Sequence, residues 1–236
     1  MSISKTNWMS LYKLQDEILL LLREELSPFY LTGGTALSRH YLNHRYSEDL
    51  DFFCHDQEIF EPSVNKIART LARSKFLKEQ DTQISESYAR FYVGPLSELK
   101  IDFVYENVEH VGDFKKVQGI NIDNPKNILA NKICCILGRD EPKDVFDIVS
   151  LAQAYSFNWR KMILAAKRKQ VLDETDVVKR LEEFPIELLE NINWVFNKID
   201  IQDFDEKLKR LVMDILLGGD NSLGDAKPEI PTVFSN

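Results

Sequence analysis

Two aspartates, Asp49 and Asp51, stand two residues apart in a short apolar run. In a β-strand, residues i and i+2 face the same side, so the two carboxylates would lie roughly 6.5 Å apart on one face. Leu50 and Phe52 then point to the other face, toward a core. Two carboxylates at that distance repel each other by about 2.5 kcal/mol at an effective dielectric of 20. The spacing therefore predicts a cation that holds them together, as in a two-metal or Mg-nucleotide site.

A pair of glycines, Gly33-Gly34, lies between a short apolar run, 29–32, and a segment with helical spacing, 35–43. The backbone amides of a glycine turn that leads into a helix form an anion site, which the helix dipole strengthens. We therefore expect Gly33 and Gly34 to hold a nucleotide phosphate, with the hydroxyl of Thr35 nearby. A glycine pair alone is also typical of an ordinary turn. The acid pair that follows it favours the phosphate site.

Other polar residues lie where they could reach the same ligand. Arg45 and Ser47 stand just ahead of the acid pair, so either could contact a phosphate. Lys132 lies in a predicted helix and Arg139 follows seven residues later, past Gly138, so the two align on a single face only where the helix continues that far. Both could reach a triphosphate, although such a pair is also typical of a solvated helix face.

Two acids follow in the next predicted helix. Asp144 lies in its first turn, where an acid stabilises the helix dipole by about 0.3 to 1 kcal/mol without any catalytic role. Asp147 lies three residues later on the same face and is expected to be a structural partner. By position alone, Asp102 is an exposed residue of a half-solvated hairpin.

The pattern of apolar residues predicts that the first part of the chain is α+β, with helices packed against one mixed sheet. The predicted helices are 9–26 and 62–77, and the predicted strands are 29–32, 50–53, 85–93, 99–105 and 115–122. Gly94-Pro95 separates two of these strands, which indicates a hairpin.

From Asn124 onward the pattern is helical. Asn124 is a suitable N-cap with Pro125 at the first helical position, and helices are predicted over 127–137, 142–153, 159–169, 174–183, 186–196 and 204–217. The segment from Gly218 is rich in Gly, Pro and polar residues. We therefore predict a core over 1–123, a C-terminal helical lobe over 124–217 and a flexible tail over 218–236.

Composition narrows the class of protein. The 236 residues are 44% hydrophobic and 29% charged, as in an ordinary globular protein, and the net charge of -8 argues against extensive coating of nucleic acid. No apolar run is long enough to span a bilayer and no signal-peptide pattern is present, so we expect a cytoplasmic protein without a membrane partner. Cys54, Cys134 and Cys135 lack CxxC spacing and are expected to be buried hydrophobic residues.

Two weaker patterns have alternative interpretations. His40 and His44 are spaced like zinc ligands on a helix, but no Glu follows His40 as in the HExxH motif. A basic run, formed by Lys161, Lys167, Arg168 and Lys169, could contact RNA, although such a run is more often a solvated helix face.

The motifs together resemble a known superfamily. Gly33-Gly34-Thr35, then Asp49-Leu50-Asp51, then a lone strand Asp102 resemble the signature of the nucleotidyltransferases, which have a polymerase-β-like fold. The sequence LTGGTAL…HRYSEDLDFF resembles that of the AbiEii/AbiGii type, the nucleotidyltransferase-like toxins of bacterial toxin–antitoxin and phage-defence systems. Lys132, Arg139 and the stretch 143–147 resemble that family's later motifs, with Lys143 where an Arg is usual.

This resemblance, which covers roughly residues 30 to 150, implies a Mg²⁺-dependent (or Mn²⁺-dependent) enzyme. The enzyme would move NMP from an NTP to a hydroxyl of RNA, such as tRNA, or of protein, and a cognate antitoxin would neutralise it. Asp49, Asp51 and Asp102 would bind the metal, and Asp102 would also help to activate the attacking hydroxyl. The implied catalytic residues are Asp49, Asp51, Asp102, Lys132 and Asp144, and the implied nucleotide-binding residues are Gly33, Gly34, Thr35, Arg45, Ser47 and Arg139.

Two other functions stay open at this point. The chain could be a nucleotide-binding or protein-interaction module without transfer activity. It could also transfer a nucleotide to a small molecule such as an antibiotic.

Overall fold

A seven-stranded mixed sheet forms the centre of the fold. The computed structural model describes residues 5–74, 76–77, 82–95 and 98–232. The strands are β1 (Tyr30–Thr32), β2 (Leu50–Cys54), β3 (Gln83–Ile84), β4 (Tyr88–Val93), β5 (Leu99–Tyr105), β6 (Lys115–Val117) and β7 (Ile120–Ile122), in the order β3-β4-β5-β2-β1-β7-β6. The predicted α+β class, with helices against one mixed sheet, is confirmed.

The register of the central strands gathers the chemical residues on one face of the sheet. β2 pairs with β1 in an antiparallel manner and with β5 in a parallel manner. These pairings place Asp51 opposite Thr32 on one side and opposite Asp102 on the other. Because side chains alternate along a strand, Phe52 and Phe103 point to the other face, where they are buried and stack on each other.

The helices lie around this sheet. Their bounds are α1 (Lys5–Leu21), α2 (Gly33–Leu37), α3 (Gln57–Arg73), α4 (Pro125–Gly138), α5 (Pro142–Ala154), α6 (Trp159–Lys167), α7 (Glu174–Glu182) and α8 (Ile201–Leu217). A π-helical turn, Ser38–Leu42, extends α2, and 3-10 turns occur at Ile186–Leu189 and Ser222–Gly224. Phe60 of α3 contacts Phe29 ahead of β1, and Phe29 contacts Phe103 of β5, so the apolar face of the sheet is covered.

Capping residues decide where several helices begin. The Asn124 side chain accepts a hydrogen bond from the Asn127 amide, which confirms the predicted start of α4 at Pro125. The predicted start of α3 at Pro62 is wrong, because Asp56 caps that helix by accepting from the amides of Glu58 and Ile59.

Three other predicted elements need correction. The predicted helix 9–26 ends at Leu21 and continues as turns. The single strand predicted over 115–122 is two antiparallel strands, because the chain turns at Gln118 and Gly119, both with positive φ. The helix predicted over 186–196 is only a 3-10 turn, since Asn191 adopts a left-handed φ of 55°.

The prediction of a flexible tail is wrong for residues 218–232. The buried Asn221 side chain donates to the carbonyl oxygens of Ala152 and Tyr155, at 2.6 and 2.7 Å, and Ile230 is also buried. Residues 233–236 lie outside the described part of the chain. The division into a core and a helical lobe at residue 123 stays a prediction. Among the described helices, none combines the length and the apolar character needed to cross a membrane.

Candidate active site

Hydrogen bonds from α1 and α2 hold in place the segment that leads into β2 and carries Asp49. The Thr35 hydroxyl hydrogen-bonds the carbonyl oxygen of Asp49 and lies 2.8 Å from Ser47 Oγ. The Gln15 side-chain amide donates to the carbonyl oxygens of Ser47 and Glu48, both at 3.1 Å. Thr35 and Ser47 are buried in these contacts, so they position Asp49, and their predicted contact with a phosphate stays a prediction.

Asp51 is a carboxylate with a raised pKa. Burial, and then the charge of Asp49, raise the pKa of Asp51 to about 6. Within the described part of the chain, its side chain forms no hydrogen bond or ion pair. Gly33, with φ of 68°, lies against it, and a Cβ at that position would come within 3.0 Å of Asp51 Oδ2. The structure therefore keeps space beside a carboxylate that gains from a positive ligand.

Asp102 has the opposite character. Arg90 donates to both of its oxygens, from Nε at 2.7 Å and from Nη2 at 2.8 Å, and the Tyr88 hydroxyl donates at 3.1 Å. Burial opposes ionisation of Asp102, but the Arg90 hydrogen bonds and the charge of Lys100 outweigh it and lower its pKa. Its carboxylate is therefore saturated by protein donors.

Lys100 is a site residue that the sequence analysis missed. Its Nζ lies 2.8 Å from Asp49 Oδ2 and 3.6 Å from Asp102 Oδ2. The signal was its position two residues before Asp102 in β5, which puts both side chains on one face. Burial opposes its positive charge, but the hydrogen bond and charge of Asp49 raise the pKa of Lys100 overall.

A second cluster of charges lies on α4 and α5. Lys132 Nζ contacts Asp144 Oδ1 at 2.6 Å and Asp147 Oδ2 at 2.8 Å. Arg139, just past the end of α4, donates to Asp144 Oδ2 from Nε at 2.7 Å and to Asp144 Oδ1 from Nη2 at 3.1 Å. The charge of Lys132 partly opposes the rise in the pKa of Asp51.

Asp147 is the centre of this cluster. It is fully buried and accepts from Arg45 Nε at 2.6 Å and Arg45 Nη2 at 2.8 Å, and His44 Nε2 lies 2.8 Å away. Burial opposes its charge, but Arg45 and Lys132 hold the pKa of Asp147 well below its usual range. Its buried ion pairs fix α5 to the loop that precedes β2.

These contacts describe the surroundings of the predicted phosphate site. Arg45 is buried in its ion pair with Asp147. A Cβ at Gly34 would come within 2.2 Å of Arg45 Nη2, so packing favours glycine there, and the role of Gly34 in phosphate binding stays a prediction. Lys100 brings Asp49 and Asp102 together, and Gly33 lies against Asp51. Arg139, with 58% of its side chain exposed, remains accessible.

The weaker patterns do not form sites. His44 contacts Asp147, and the described residues contain no group of three or more His, Cys, Asp or Glu side chains arranged for a metal ion, so the zinc alternative is not formed. Three members of the basic run face acids: Lys167 lies near Glu174, Arg168 near Glu109, and Lys169 near Glu106.

The predicted metal site with three carboxylates is likewise not formed among the described residues. Arg90 donates hydrogen bonds to both carboxylate oxygens of Asp102. A site with two carboxylates fits better. Asp49 and Asp51 offer the hard oxygen ligands that Mg²⁺ prefers. The raised pKa of Asp51 and the space that Gly33 leaves beside it both suit a cation there.

The sequence matches the family model described as nucleotidyl transferase AbiEii toxin, type IV TA system, over residues 19–234. It is 29% identical over 192 residues to the uncharacterized protein aq_aa25 of Aquifex aeolicus (strain VF5). The aligned region covers 78% of this chain and 87% of the relative.

Two solved structures from Helicobacter pylori share the fold at 22% identity. JHP933 has a TM-score of 0.57, with 92% of this chain and 93% of that chain covered. A putative nucleotidyltransferase has a TM-score of 0.58, with 92% and 96% covered.

Proposed function

We propose that this chain, which belongs to the AbiEii family of nucleotidyl transferase toxins, transfers NMP from an NTP to a hydroxyl of RNA or protein with the help of a divalent cation. The observation that carries the proposal is the pair Asp49 and Asp51 beside Gly33, in which Asp51 forms no hydrogen bond or ion pair within the described part of the chain. A buried carboxylate with a raised pKa costs the fold stability, and a cation is the ligand that removes this cost.

In this proposal Asp49 and Asp51 hold Mg²⁺ or Mn²⁺. When bound, the cation supplies charge neutralisation for the phosphates and the departing pyrophosphate. The chain itself provides positive charge from the other side. The charge of Lys132 favours the ionised form of Asp51, and the half-exposed Arg139 presents a planar guanidinium that can pair with phosphate oxygens. Asp144 forms ion pairs with both Lys132 and Arg139, so we propose that it is a positioning residue.

Asp102 has a different role from the one that the resemblance implied. Its lowered pKa and its bonds to Arg90 make it a poor proton acceptor for an attacking hydroxyl. We propose that Asp102 instead fixes Arg90 and Lys100 at the edge of the site.

The test is transfer of label. The native chain is incubated with each α-labelled NTP, Mg²⁺ and either total RNA or protein lysate, and labelled macromolecules are separated by size. We expect label in one of the two acceptor classes and its loss in Asp51→Asn. The exposed Asp225→Asn carries the same change of charge outside the site and should transfer normally. Equal labelling by Asp51→Asn would refute the proposal.

The same assay separates the alternatives. Bound nucleotide without any labelled product would favour a module that binds without transfer, and label on an added aminoglycoside would favour a small-molecule acceptor. For the toxin role, we propose a cognate antitoxin as partner. Expression of the native chain should slow growth, whereas Asp51→Asn should not.

A further inference from the structure

Lys100 occupies the place where a cation would neutralise the acidic face. Its Nζ lies between carboxylates of two neighbouring strands, 2.8 Å from Asp49 Oδ2 and 3.6 Å from Asp102 Oδ2. Three-quarters of the Lys100 side chain is removed from solvent, since its exposed fraction is 25%. The ammonium is therefore held in the site and does not extend into water.

The second carboxylate of this pair is fixed by other groups. Asp102 is clamped by Arg90 across the β4–β5 ladder, where the two residues are direct partners, and it also accepts from Tyr88. Asp102 thus cannot turn away from Lys100 without losing these bonds. It acts as a rigid anchor that keeps the ammonium next to Asp49.

The charges of this face balance pair by pair, with one exception. Arg90 compensates Asp102, and Lys100 compensates Asp49. Asp51 remains, because its carboxylate forms no hydrogen bond or ion pair within the described part of the chain. A divalent cation that is coordinated by both Asp49 and Asp51 must therefore displace Lys100 from Asp49. It must also approach against the positive charge of the ammonium.

We propose that Lys100 is an internal counter-cation that competes with the divalent metal for Asp49. This inference rests on the proposed metal site at Asp49 and Asp51. Lys100 weakens metal binding in the absence of substrate, because like charges repel at close range. Once displaced, its ammonium can pair with the phosphate oxygens of the incoming nucleotide, since phosphate is a strong acceptor for ammonium donors. Lys100 is thus a positioning residue that links metal binding to the presence of NTP.

The experiment measures Mn²⁺ affinity directly, by electron paramagnetic resonance of free Mn²⁺ without nucleotide. We expect Lys100→Met to bind Mn²⁺ about tenfold more tightly than the native chain, a difference of roughly 1.4 kcal/mol. Lys100→Arg keeps the charge and should stay near the native affinity. The matched control is Lys116→Met, which removes an exposed lysine of β6 at the far edge of the sheet and should change nothing.

Each outcome of this titration is decisive. If Lys100→Met binds Mn²⁺ no more tightly than the native chain while Asp51→Asn loses it, the metal site stands and the role of Lys100 is overturned. If the native chain and all Lys100 variants bind no Mn²⁺, both this inference and the metal part of the proposed function are overturned.

A second measurement covers the case in which Lys100→Met fails to fold. Reductive methylation with ¹³C-formaldehyde labels lysines of the native chain and keeps their charge, and the Lys100 signal is assigned from its absence in Lys100→Arg. Titration with Mg²⁺ should shift this signal as the ammonium leaves Asp49, whereas the Lys116 signal should stay. A Lys100 signal that does not move at saturating Mg²⁺ would contradict displacement.

Discussion

Asp51→Asn should stabilise the metal-free protein at neutral and alkaline pH, although it removes a central residue of the proposed site. The native fold raises the pKa of Asp51 from 3.8 to about 6, with burial as the main cause and the charge of Asp49 next. A raised pKa means that the folded state binds the proton more tightly than the unfolded state does. The ionised carboxylate therefore costs stability at any pH above that pKa, and asparagine has the same shape without the charge.

The size of this cost follows from the shift. Each pKa unit corresponds to 1.36 kcal/mol, so a rise from 3.8 to about 6 amounts to about 3 kcal/mol at pH 8. For a chain of this length, a gain of about 2 to 3 kcal/mol raises the melting temperature by about 4 to 12 °C. The cost is absent below pH 3.8, grows between pH 3.8 and 6 and is constant above, so about half of the gain should remain at pH 5.

The measurement is urea denaturation of the native chain and of Asp51→Asn in EDTA, at pH 5 and at pH 8. Asp49→Asn serves as the comparison, because Asp49 has 37% of its side chain exposed and is paired with Lys100, so its replacement should change stability far less. Asp51→Asn that is less stable than the native chain at pH 8, or that shows the same gain at both pH values, would refute the reasoning.

Three further changes test the framework behind the site. Asp147→Asn should cost about 3 to 5 kcal/mol in urea denaturation, because it leaves buried cations without their partner, and a loss below 1 kcal/mol would contradict this. Gly34→Ala should cost about 1 to 3 kcal/mol of stability, because its new Cβ would push against Arg45. Gly138→Ala, with no atom within 4 Å of its new Cβ, should be neutral or slightly stabilising. Equal melting temperatures for the two variants would count against the packing argument. Asn221→Ala should cost about 1 to 3 kcal/mol, because two carbonyl oxygens at the end of α5 lose their donor, and unchanged stability would show that the C-terminal segment does not hold the fold.

The parts of the site that the sequence predicted are those encoded by local patterns. Asp51 lies on β2 as the alternating pattern predicts, with Asp49 one residue ahead of the strand, and Asn124 followed by Pro125 marks the start of α4 wherever that helix packs. The errors also have local causes. Asn191 ends a helical pattern by adopting a left-handed conformation, which its side chain tolerates and its sequence context did not reveal.

The partners of the acids depend on contacts that are distant in sequence. Arg45 and Asp147 meet across the interface of α5 with the loop before β2, and no periodicity indicates this pairing. Arg90 and Asp102 are a nearer case, because the β4–β5 hairpin puts them directly opposite each other. Once the pairing of Val93 with Leu99 is known, the contact follows by counting along the two strands.

The contrast between two acids locates the function more sharply than any motif does. Asp147 is fully buried, yet three cationic or polar side chains keep it ionised, so it stabilises the fold as it stands. Asp51 on β2 is partly buried and, within the described part of the chain, has no such partner. A packed core gains nothing from an acid held in that state, because a neutral residue of the same shape would be more stable. A positive ligand would recover this cost, which is why we propose the cation site at Asp51, beside the Asp49 carboxylate that Lys100 contacts.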